Sequence, residues 1–170
     1  MPPESLQQAL ERAGVGSTIA RSIGLAARLS GQRRDLSEIA TIALHTNPEM
    51  AVADPMFNEA NFITLAASAV NSVVVTFTPP ANTLGILTEF AQGIGNQADY
   101  DLITWRLRVG PGAIPGCDAI TGPIAPVFLP IKIFWPIFAG QKVEVVATNL
   151  SATAIANVTA LVRGTFFPRA

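Results

Sequence analysis

The 170-residue chain has one cysteine, Cys117, and one histidine, His45. The first excludes an intrachain disulfide, and together they exclude a multi-histidine or mixed Cys/His metal centre. Charge is sparse: 14% of residues are Asp, Glu, Lys or Arg, against about a quarter in an average soluble domain. Eleven basic residues, all but two of them Arg, oppose twelve acidic ones. No general field is left to gather nucleic acid or an anionic membrane. Long apolar runs are missing as well. The stretch 127–138 is broken by Pro130, Lys132 and Pro136 and falls short of the ~20 residues that a membrane-spanning helix needs. Met1-Pro2-Pro3-Glu4 carries no basic flank ahead of an apolar core, so no secretory leader is expected and synthesis is assigned to a cytoplasm.

What is present is β-strand pattern. From 141 to 149, Val143, Val145 and Ala147 alternate with Lys142, Glu144 and Thr148. From 156 to 166, Ala156, Val158, Ala160, Val162 and Phe166 alternate with Asn157, Thr159, Arg163 and Thr165. Asn149-Leu150-Ser151 is read as the single turn between the two strands. Two long strands with one dry face each need a second sheet, so a sandwich is expected. Further strands are expected over 69–78, with Val73, Val75 and Phe77 inward, and over 101–109, with Ile103, Trp105, Leu107 and Val109 inward. Less regular ones are expected over 83–91 and 131–138. The fold class is mainly β: a jelly-roll-like antiparallel β-sandwich with a short N-terminal helical segment.

That segment reads as three short helices within residues 1–46. Their stripes are Leu6, Ala9, Leu10 and Ala13; Ile19, Ile23, Ala26 and Ala27; and Leu36, Ile39, Ala40, Ala43 and Leu44. Ser17 is a plausible N-cap, and Asp35 and Glu38 have capping-box spacing. The stripes are narrow and built of small residues, so they must dock on the sandwich or on a neighbour. A helical arm that shares little with the core should be removable. Residues 47–66, punctuated by proline, read as a connector, and 67–170 as the sandwich domain.

Candidates for chemistry have plain structural readings. His45 closes the third helix and reads as a helix-end histidine rather than a general base. Cys117 has no neighbouring base or cation and reads as an ordinary loop cysteine. Asp99 and Asp101 flank Tyr100 but lack the third carboxylate of a calcium loop. Gly93-Ile94-Gly95 lacks the third glycine and following helix of a nucleotide loop. Residues 1–45 carry five Arg against four acids, too small an excess for a DNA footprint. The sequons at Asn149 and Asn157 matter only in a secreted chain. No enzyme activity, cofactor, metal or small-molecule substrate is expected.

Three stretches carry a resemblance: the Trp-bearing strand 101–109 ending at Gly110, the glycine-led Val-alternating run 140–149, and the last strand 158–168 closing on aromatics and Pro168. Over 69–168 the chain resembles the jelly-roll decoration, or cement, proteins of tailed-bacteriophage capsids. The resemblance implies a non-enzymatic virion protein, commonly a homotrimer, placed on the capsid surface and contacting the major capsid protein. Low charge and a mean hydropathy of +0.40 agree with apolar surface buried between subunits. The expected contact residues are Ile114, Ile120, Ile124, Val127, Phe128 and Leu129 in the apolar loop, and Ile19, Ile23, Leu36 and Ile39 on the helices. A jelly-roll module binding carbohydrate or a receptor, with Trp105, Trp135 and Tyr100 as stacking platforms, is the alternative.

Overall fold

A computed structural model describes residues 5–30, 35–47, 54–117, 120–121 and 130–169. The three expected helices are α1 (Leu6–Arg12), α2 (Ser17–Leu29) and α3 (Leu36–Leu44). Ser5 and Gln8 form a reciprocal capping box on α1. The cap of α2 is Gly16 rather than Ser17, which is the first helical residue. Asp35 caps α3 by accepting the Ser37 amide at 3.0 Å.

Among the described residues nine strands follow: β1 (Met56–Leu65), β2 (Ser72–Phe77), β3 (Thr83–Ile94), β4 (Ile103–Val109), β5 (Gly112–Ala113), β6 (Ile120–Thr121), β7 (Ile131–Ile137), β8 (Val143–Asn149) and β9 (Ile155–Pro168). They form two antiparallel sheets. One runs β1-β9-β3-β7 and the other β2-β8-β4-β5, with β6 also on β4. Successive strands alternate between the sheets except around β4 to β6, which is the winding of a jelly roll. Ile103, Trp105, Leu107 and Val109 of β4 share one hydrophobic cluster with Val158, Ala160 and Val162 of β9.

Several expectations change in detail. The last two long strands are not hairpin partners, because β8 lies in one sheet and β9 in the other. Val143, Val145 and Ala147 and Val158, Ala160 and Val162 are buried as expected, but Ala156 is exposed and Glu144, expected on a wet face, is buried. The two inward faces look at each other across the core instead of lying side by side. Within 47–66, residues 56–65 are not connector: β1 pairs with β9 in register from Met56↔Thr165 to Leu65↔Ile155. Polar side chains hid it, since only Phe57 and Leu65 of β1 are buried. In β2 a register shift between Val73 and Val75 turns Val73 outward and buries Val74 instead. β3 fits no simple period for two reasons. It carries its own register shift between Leu87 and Glu89, and it is covered on both faces.

The second cover on β3 is helical. α2 packs against β7, α3 against β3 and α1 against α2. The His45 ring stacks on Phe167 with centroids 3.8 Å apart and planes 1° from parallel, and Phe167 pairs with Leu84 of β3. Arg169, beyond β9, reaches back to Asp35 at 3.6 Å and to buried Glu38 at 3.4 Å. Ala20, Ile23, Ile39 and Ile42 belong to the same hydrophobic cluster as the sandwich core. The arm therefore packs as a third layer on the sandwich.

Candidate functional site

The expected contact residues separate into four groups. Ile23, Ile39 and Ile114 are buried within this chain, so they hold its layers together and offer no surface. Leu36 is exposed. Ile19 is half-buried and lines an open apolar groove of about 600 Å³ together with Leu10, Val15, Ala43 and Leu44. The side chains of Ile120, Ile124, Val127, Phe128 and Leu129 lie outside the described residues.

The polar candidates are brought into ordinary structural roles. His45 Nδ1 lies 2.8 Å from Asp54 Oδ2, joining the end of α3 to the entry of β1. Cys117 is half-buried, and its burial raises the thiol pKa, away from the reactive thiolate. Its backbone carbonyl accepts the Leu107 amide at 2.9 Å. Asp99 and Asp101 lie in a 3-10 turn, Gln97–Leu102, capped by Asn96. Among the described residues, no three His, Cys, Asp or Glu side chains come together as a metal site. The first two residues of Gly93-Ile94-Gly95 close β3, and Gly95 donates its amide to the Asn157 carbonyl at 3.1 Å.

The three aromatic platforms of the carbohydrate reading are enclosed. Trp105, Trp135 and Tyr100 are 1%, 8% and 7% exposed, so none presents a ring face for a sugar to cover.

A surface that sequence reasoning missed is β1. It ends its sheet, pairing only with β9 among the described strands, and eight of its ten residues are not buried. Met56 and Phe62 are 68% and 71% exposed. The inward residues differ in kind: Phe57 stacks on Phe77 of β2 at 3.9 Å, and Asn61 Nδ2 donates to the Val74 carbonyl at 2.9 Å. The legible signal was alternation of Phe57, Glu59, Asn61 and Ile63 with Met56, Asn58, Ala60 and Phe62, obscured because neither set is uniformly apolar. No protein-family model matches the chain, and no curated protein matches it.

Proposed function

We propose that this chain is a non-enzymatic structural protein of a tailed-phage virion. It binds the outside of the capsid as an oligomer and reinforces contacts between subunits of the major capsid protein. The observation that carries the reading is where its three motif stretches fall. The Trp-bearing stretch is β4, the Val-alternating stretch is β8 and the aromatic-closing stretch is β9, all central to a jelly roll wound in the order described. A fold alone does not fix a function, so the reading depends on motif and fold together. Enclosure of Trp105, Trp135 and Tyr100 weighs against the carbohydrate alternative.

The test is to incubate the purified protein with undecorated capsid shells and, separately, with a glycan array. Saturable co-sedimentation with shells and a blank array is the expected result. A specific sugar hit with no shell binding would replace the cement role with adhesion.

A further inference from the structure

We infer that two copies of this chain join edge to edge through β1, making one eight-stranded sheet across a two-fold axis. The inference rests on the self-association in the reading above but not on the capsid. Exposed sheet edges are normally blunted by proline, lysine, bulges or shortness, because free backbone N–H and C=O groups capture other strands. β1 has few of these devices. It is ten residues long with the sequence MFNEANFITL, without proline or a basic residue, and its one register shift comes only at the far end, between Ile63 and Leu65. Such an edge, bearing exposed Met56 and Phe62, is built to be covered.

The second copy is favoured as the occupant because β1 is complementary to itself. A two-fold axis perpendicular to the sheet keeps outer side chains outer, so only positions of the same parity can face one another. Centring on Glu59 would set two carboxylates opposite each other. Centring on Asn61 would run the pairing into the Ile63/Leu65 irregularity. Centring on Ala60 avoids both if the overlap is 57–63, which sets Glu59 against Asn61 of the second copy and Phe57 against Ile63 and stops short of that irregularity. That seam is about 24 Å long. A specific interface needs about 1,000 Å² in total, and Met56 and Phe62, both strongly exposed, supply apolar area beside the seam. Such a contact is isologous and closes as a dimer, in place of the trimer that the family resemblance implies.

The full-length protein is measured first by light scattering, with an expected mass of twice 17.9 kDa. Phe62→Lys and Ala60→Lys change exposed side chains and should each return the mass to one chain with an unchanged circular-dichroism spectrum. In a Cys117→Ser background, Ala60→Cys should cross-link on mild oxidation because opposed strand positions lie within disulfide range. Thr64→Cys in the same background should not. A monomeric wild type, an oligomer indifferent to both lysine variants, or cross-linking at 64 instead of 60 would overturn the inference. None of these results depends on shell binding, so failure of the capsid reading is recognised separately.

Discussion

At the scale of single residues, the core is specific enough to predict losses. Trp105 is 1% exposed on the inner face of β4, and Trp105→Ala should cost ~3–5 kcal/mol in chemical denaturation. Unchanged melting would mean that β4 is not a core strand. Asn149 is buried and ties three segments together. Its Nδ2 donates to the Ala66 and Thr153 carbonyls, both at 2.8 Å, and its Oδ1 accepts the Ser151 amide at 2.8 Å. Asn149→Ala leaves those groups short of partners and should cost about 1–3 kcal/mol. Gly164 is a third sensitive point. A Cβ there would run into the Ile86 carbonyl oxygen and the Phe57 ring, so Gly164→Ala should lower the melting temperature, and an unaltered value would contradict the β9 register. The Asp35 carboxyl is held below its usual pKa mainly by the Ser37 backbone amide, with help from the Ser37 hydroxyl and Arg169. The cap's contribution is thus present above the ordinary aspartate range and is lost as pH falls through the lowered folded value.

At the scale of elements, legibility followed the number of covered faces. β4 has one apolar and one mixed face, Arg106 and Arg108 alternating with buried residues, and simple alternation located it. β3 has helices on one side and the second sheet on the other, so burial runs through Leu84, Ile86 and Leu87 regardless of parity and the periodic signal vanishes. β1 fails in the opposite way, through exposure, so its pattern reads as connector. The arch from β8 to β9 looks like a hairpin in sequence because alternation reports which face is dry and says nothing about which strand lies alongside. Pro136 is tolerated inside β7 because that strand ends its sheet, with β3 as its only strand partner among the described residues. Helix burial also changes the expected consequence of truncation. A protein comprising 47–170 loses the His45 stack on Phe167 and the cover that α2 gives β7. It should bind a hydrophobic dye and melt earlier than the full chain. Equal stability would restore the separable arm.

At the scale of the molecule, three layers share one hydrophobic cluster, and the surface carries little charge beyond a net −1. Attachment to a shell by such a surface should rest on apolar burial more than on ion pairing. Raising salt from 0.05 to about 0.5 M, which shortens the screening length to a few ångströms, should therefore lower shell occupancy only mildly. A steep loss would assign the attachment to the arginines. The most direct measurement of the proposed role is electron cryomicroscopy of undecorated tailed-phage capsid shells mixed with an excess of the purified protein. The account predicts jelly-roll density on the outer surface, repeated at junctions between capsid subunits. Bare shells at saturating protein, or density confined to the tail, would contradict it.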